Sequence, residues 1–454
     1  MSAHDHVMAH RLGDLRELTK SLNLHTPPAY FASAKTMLPY EEALVLLRDD
    51  DSGRPLSLYL GIPLCVEHCN FCMYFYGLAD RAGSKAEACV AGIEALLRKI
   101  DSTAGRPVAG SYIGGGTPTV LTAAQIERLL TAVNDVFVFE PGAQRTFEMS
   151  PGTMSEDKAR AIVAGGYHRV SFGVQSFVHA VVKAAGRTFT PADEARALIR
   201  YCRNAGATEI NIDLMVGLAE ETDESVQDSV AQALTSECTT ISVYRYRPAR
   251  GSEVRSRGGI DRYVATCAAR VARLADLATR HGWEVEGRAD GEHVRLIDPS
   301  TSVRRSERNY YETRFRPQLG NSLAGIGSGA RSFQRDHRFV YCAHKSREGF
   351  DLAGRLVEVQ DCDLPSRVAA ALVNELFREW TVDLAAIEQD VDVTVRDLFG
   401  AELAFLLGEG VLVEEDSWLT VAPDHRTDWM YYEKLLYPSD WLARRSASRH
   451  LRAR

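Results

Sequence analysis

Three cysteines in one short loop constrain this chain more than any other feature. Cys65, Cys69 and Cys72 stand in the run GIPLCVEHCNFCMYFYG, a C-x3-C-x2-C spacing directly after a short apolar strand. Three thiolates can hold three irons of a [4Fe–4S] cube and leave the fourth iron open. An open position separates a catalytic metal site from a closed structural one, and here a small molecule's amino and carboxylate groups could fill it. Two other readings fit the triplet alone. One is a zinc site completed by His68 or a remote residue; the other is three unrelated core cysteines.

The flanking pattern gives the loop a setting. Leu56, Leu58, Leu60 and Ile62 alternate with Ser57, Tyr59 and Gly61, the period of a half-buried strand. A helix is expected from Ser84, with Glu87 as the far half of a capping box. Val90, Ile93, Leu97 and Ile100 follow at helical spacing. The next strand ends in Tyr112-Ile113-Gly114-Gly115-Gly116-Thr117-Pro118, where glycines free the backbone to approach a ligand. On the strand over 144–150, Glu148 shares with Thr146 and Ser150 the face opposite Phe147 and Met149. A carboxylate at a strand end can accept from a cationic amine or a ribose hydroxyl. Over 209–217, Ile210, Ile212, Leu214 and Val216 point one way, and Asn211, Asp213 and Met215 point the other. From Tyr59 to about Glu286, strands and helices alternate in six units. The expected fold is α/β, a partial (β/α)6 barrel with its site at the C-terminal strand ends.

The ordered motifs YLGIPLC, CNFC, GGGTPT, FEMSP, RVSFGVQSF, GRTFT, NIDLMVGL, ISVY and LAGIGSGARSF resemble those of radical S-adenosylmethionine (SAM) enzymes. The likeness is to the oxygen-independent coproporphyrinogen III oxidase-like group. That group also holds heme chaperones and the class C methyltransferases and cyclopropanases that use two SAM molecules. The resemblance runs from about Tyr59 to Phe333. It implies a [4Fe–4S] cluster on Cys65, Cys69 and Cys72, with Tyr59 beside the SAM sulfonium and Phe71 near the adenine. Gly115, Gly116 and Thr117 match the segment that binds the methionine amino group. Glu148 falls in the family's E-x-x-P pattern. Gln175 and Asp213 match ribose contacts, Arg187 matches the arginine that holds the SAM carboxylate, and Met215 falls where the parent oxidase lines a second SAM site. A reductant such as flavodoxin or ferredoxin is implied as partner, beside a small-molecule substrate.

Departures bear on the reaction. Tyr74 stands where the parent oxidase has a fourth cysteine, Gly61 where the family usually has histidine, and YRYRPARGSE where ISVY usually leads to E-P-x-T. These point to a methyl or methylene transfer from a second SAM to an sp2 carbon, in specialised metabolism such as antibiotic biosynthesis. The alternatives are oxidative decarboxylation of a porphyrinogen propionate and a heme chaperone, with His68 or His168 as heme ligand.

The 454 residues suit two or three domains. The expected division is an N-terminal extension over 1–55, a barrel over 56–290 and a barrel-closing segment over 291–345. A mostly helical, winged-helix-like cap with a basic tail follows over 346–454. Net charge −8 argues against broad nucleic-acid binding. MSAHDHVMAH has no apolar stretch of signal-peptide type, and no run approaches membrane-spanning length. Nine cysteines without a disulfide-like framework fit a reducing cytoplasm.

Overall fold

The computed structural model describes residues 34–46, 56–72, 77–100, 107–188, 191–246, 260–287, 293–301, 322–327, 330–333, 338–341, 350–426 and 429–437. The expectations for 1–33, Tyr74, 247–253 and the basic tail lie outside these residues.

A strand β1 (Ala34–Pro39) and a short helix α1 (Tyr40–Val45) precede the repeating part. There β2 (Leu56–Ile62), β3 (Val108–Gly115), β4 (Phe139–Met149), β5 (Arg169–Gln175), β6 (Glu209–Val216) and β7 (Thr240–Arg245) lie side by side and parallel. The expected six-unit α/β alternation is present. Helices α2 (Ser84–Leu97), α3 (Ala123–Val136), α4 (Glu156–Ala164), α5 (His179–Ala184), α6 (Pro191–Ala205) and α7 (Asp223–Leu234) fill the crossovers, and α8 (Ile260–Arg280) follows β7. Then β8 (Glu284–Gly287) and β9 (His293–Ile297) turn back, β9 antiparallel to β7. On the other flank β10 (Ser322–Gly327) runs parallel to β2. β11 (Arg331–Phe333), β12 (Arg338–Tyr341) and β13 (Leu356–Asp361) continue the sheet, and β1 pairs antiparallel with β13. Among the described residues the sheet has thirteen strands, with β1 and β8 at its edges.

Period two explains the layering. Leu58, Leu60, Ile62, Ile113, Phe147, Phe172, Ile210, Ile212 and Leu214 are all buried in one core with Val90, Ile93, Ile126, Leu129 and Leu130 of the helices. The other face of the same strands carries Tyr59, Tyr112, Glu148, Arg169 and Asp213, so apolar residues bind the helices and polar ones line the concave side.

The helix from Ser84 is there, but the capping box is not. Ser84 is the first helical residue, and Asp80 caps the helix from outside. Its carboxylate accepts from the backbone N–H groups of Ser84 (3.1 Å) and Lys85 (2.8 Å) and from the Ser84 hydroxyl (2.6 Å). Glu87 instead takes Gln125 and Arg128 of α3. Capping boxes occur at Thr122–Gln125 and Thr222–Ser225.

The C-terminal part has its own core, built on Val368, Leu372, Leu376, Ile387, Leu403, Leu406, Leu419, Val421 and Trp429. Helices α9 (Leu364–Glu379), α10 (Leu384–Val391) and α11 (Val395–Gly408) precede a hairpin of β15 (Leu412–Glu415) and β16 (Trp418–Val421). The hairpin turns at Asp416, whose φ is 53°. A third strand, β14 (Thr381–Asp383), pairs with β16; three residues are too few to show a period in sequence.

Candidate active site

The cysteine loop leaves β2 and is tied down along its length. The Cys65 N–H donates to Gly77 O (3.0 Å), and the Ala79 N–H donates to Cys65 O (2.8 Å). The Asn70 N–H and side-chain amide donate to Ala185 O and Ala184 O, both at 3.0 Å. Glu67 accepts from the Thr188 N–H (3.1 Å) and hydroxyl (2.9 Å). The loop is thus docked against the turn after α5.

Cys65, Cys69 and Cys72 are half-buried and in no disulfide, whereas Cys89, Cys202, Cys238 and Cys267 are buried. Burial is the main influence pushing the Cys65 thiol up to about 11; Thr117 counteracts it, and Cys72 and Cys69 push the same way as burial. The three sulfurs therefore share one electrostatic neighbourhood, and a bound cation would draw their protons off. Among the described residues no three His, Cys, Asp or Glu side chains form a group that could hold a single metal ion. A cube spreads its irons over several corners and does not require its thiolates to meet at one point. Three such thiols on one loop fit three corners of a [4Fe–4S] cluster.

Arg187 reaches this loop from beyond α5. Its Nε donates to Cys69 Sγ (3.2 Å), another guanidinium nitrogen donates to the Gly173 carbonyl, and the group lies 5.5 Å over the Phe71 ring. Phe71, Met215 and Tyr246 pack partly buried around Val181, Ala185 and Leu218. The structure thus brings Phe71, Arg187 and Met215 together beside the cysteines.

The glycine run crosses directly under the loop. The Gly116 N–H donates to Ile62 O (2.8 Å) and the Thr117 N–H to Leu64 O (2.7 Å). A Cβ on Gly116 would stand 2.5 Å from Leu64 O, and Gly115 has a φ of 112°. Both glycines are required by close backbone approach and left-handed geometry.

Glu148 lies across Gly114, where a Cβ would meet its carboxylate at 2.4 Å. It accepts from the Tyr112 hydroxyl (2.5 Å) and the Gly115 N–H (3.2 Å). Tyr112 stacks on Tyr59 with ring centroids 6.2 Å apart. Asp213 accepts from Ser171 (2.9 Å) and Asn211 (2.8 Å). Burial pushes Glu148 up to about 7; Tyr112 opposes this and Asp213 adds to it. Asp213 is also raised, again chiefly by burial. Gln175 ends β5 with a φ of 71° beside a register break after Gly173, a left-handed position that costs a non-glycine residue roughly 1–3 kcal/mol.

Sequence reasoning passed over Tyr112, Arg169, Ser171, Glu209 and Arg295. Arg169 Nε and an Arg295 guanidinium nitrogen both donate to Glu209 Oε1, at 2.8 and 2.9 Å, and Gln144 donates to Glu209 Oε2 at 3.0 Å. The signal was present. Arg169 alternates with Val170, Phe172 and Val174, and Glu209 shares the parity of Asn211 and Asp213.

Residues 59–233 match the family Radical SAM superfamily. Over these residues the chain is similar to the radical SAM superfamily. Within it the relatives are of the coproporphyrinogen III oxidase-like group. The oxygen-independent coproporphyrinogen III oxidase of Escherichia coli is 27% identical over 381 residues, covering 80% of this chain and 81% of that one. The heme chaperone HemW of Lactococcus lactis is 34% identical over 191 residues, 42% of this chain and only 49% of the chaperone. The solved structure of the Escherichia coli oxidase superposes with a TM-score of 0.66 at 22% identity, covering 87% of this chain and 93% of that one. It shares this fold. That likeness implies a [4Fe–4S] cluster and SAM, a small-molecule substrate and a reductant. Among the described residues no helix is long and apolar enough to cross a membrane.

Proposed function

We propose that Cys65, Cys69 and Cys72 hold the cluster and that the strand ends beside them hold SAM. Gly115, Gly116 and Thr117 border the methionine end. Arg187 is the cation available to its carboxylate; Glu148 and Asp213 are acceptors for its ammonium or ribose hydroxyls, with Gln175 beside them. Tyr59 and Phe71 supply the aromatic faces. When bound, the cluster supplies the electron that cleaves SAM to methionine and a 5′-deoxyadenosyl radical. The carrying observation is one of placement: the docked cysteine loop and the Glu148 carboxylate stand over the same glycine strand, β3.

For the reaction, the likeness spanning four-fifths of both chains supports oxidative decarboxylation of a porphyrinogen-type propionate. The two-SAM methyl transfer expected from the motif departures draws no support from these relatives, and Met215 packs with Phe71 and Tyr246 in a small apolar cluster. The chaperone reading is favoured by the higher identity over a shorter stretch of 191 residues. Anaerobic incubation of cluster-loaded protein with SAM, reductant and coproporphyrinogen III separates the three. Carbon dioxide with 5′-deoxyadenosine supports decarboxylation. S-adenosylhomocysteine formation would restore methyl transfer. Tight heme binding with little SAM turnover would place the protein with the chaperones. The cytoplasm is the proposed compartment.

A further inference from the structure

Beneath the carboxylates of the proposed SAM site lies a second charged layer that no ligand contact explains. Strand register orders the concave face into rows. Thr146, Arg169 and Glu209 are neighbours across β4, β5 and β6; Glu148, Ser171 and Asn211 form the next row, and Gly173 and Asp213 the one after. Arg169 is deep in the fold, and its guanidinium is anchored by Glu209 Oε1 (2.8 Å) and Thr146 Oγ1 (3.3 Å). Arg295, 5% exposed, joins it on the same Glu209 oxygen, and its own Nε has no hydrogen-bond partner. Two guanidinium groups thus share one carboxylate, so Glu209 neutralises Arg169 only in part, below Glu148 and Asp213. A buried charge excess is costly unless another group balances it. The carboxylates in reach are Glu286, directly across from Arg295, and, on the Arg169 side, Glu148 and Asp213.

We propose that Arg169 is a positioning residue: braced by Glu209, it supplies the buried positive charge against which Glu148 and Asp213 present their carboxylates to the cationic ligand above. This rests on the proposed SAM site. The groups that face this centre are Tyr112 on β3, Glu148 on β4, Glu209 and Asp213 on β6, Tyr244 on β7, Glu286 on β8 and Arg295 on β9. Arg169 opposes protonation at both Glu148 and Asp213. Glu209 has the reverse influence, because it neutralises part of the guanidinium charge.

The two partners therefore make predictions of opposite sign. In full-length, cluster-loaded protein, SAM binding is measured by anaerobic equilibrium dialysis from acid to mildly alkaline pH. Arg169→Gln moves the pH midpoint of binding upward by about one unit or more, and Arg169→Lys restores most of it. Glu209→Gln moves the midpoint downward. A merely structural role predicts weaker binding at every pH with no change of midpoint, or shifts of the same sign in both variants; either overturns the proposal. A ligand-free readout keeps the test independent of the SAM assignment. Infrared titration of the buried carboxyl band, assigned by its loss in Glu148→Gln, should show the same opposed shifts. If wild-type protein binds no SAM while the infrared shifts are opposed, the site assignment fails and the electrostatic coupling stands. If the infrared midpoint is unmoved in both variants, the coupling fails.

Discussion

Cys69 accepts a guanidinium N–H at its sulfur before any iron arrives. A thiolate is the form that ligates. Cys69→Ala should abolish cluster iron and 5′-deoxyadenosine formation together, as read by iron assay and mass spectrometry. Glu148 makes a different demand. Its carboxyl is pushed up to about 7 from an ordinary 4.5, so between those values the folded protein keeps a proton that the unfolded chain has released. That contribution to stability is present at low pH and is lost as pH rises through about 7. Cation binding runs the opposite way and strengthens as the carboxylate ionises. SAM affinity should rise with pH through about 7, and Glu148→Gln should flatten the profile. The same variant should weaken SAM binding by roughly ten- to a hundred-fold, the worth of one charge-assisted hydrogen bond, with iron content unchanged.

At the scale of elements, β3 carries the heaviest constraint. Its glycine end passes under the loop so closely that Gly116→Ala would force the new methyl group against the Leu64 carbonyl. Backbone cannot yield as a flexible side chain can. The expected result is loss of iron and of SAM binding while far-ultraviolet circular dichroism shows the α/β fold intact. Much of this element was legible in sequence, because three adjacent glycines one β/α unit after a cysteine triplet leave few alternatives. The start of α2 was not. Ser84 and Glu87 have the spacing of a capping box, yet Asp80, four residues ahead of Ser84, takes the role, and Glu87 is drawn to Arg128 of α3. A local pattern gave way to tertiary charge pairing, which sequence spacing does not display. The interior row of Arg169 and Glu209 was readable from strand parity but was obscured because each lies at the N-terminal end of its strand, away from the motif that drew attention.

Across the whole molecule, the polar concave face of one sheet and the separate apolar core of the C-terminal part divide the work. The alternation of strands and helices was visible from the periodicity. The antiparallel flanks, β10 to β13 with β1, were not. Among them β1 and β13 unite segments more than 300 residues apart, as in Lys35 with Glu358, and no local signal reports such pairing. The C-terminal core closes on a short segment containing Trp429 and Tyr437. There Glu433 is fully buried, accepts from the Tyr437 hydroxyl (2.7 Å), and is pushed up by burial to about 8. The folded state holds this proton between about 4.5 and 8, so this part of the protein loses stability as pH rises across that window. Hydrogen exchange over 429–437 should quicken from pH 6 to pH 8 beyond the intrinsic chemical rate, and Glu433→Gln should remove that excess.

The central claim is that three cysteines and the strand ends beside them make a SAM-cleaving centre. Its most direct test is anaerobic reconstitution with iron and sulfide, followed by dithionite and SAM and quantification of 5′-deoxyadenosine. The account predicts a brown protein with a cube's complement of iron and sulfide that forms 5′-deoxyadenosine, and loses both in Cys69→Ala. Tight zinc in place of iron, or an intact cluster that neither binds SAM nor yields 5′-deoxyadenosine, would contradict it.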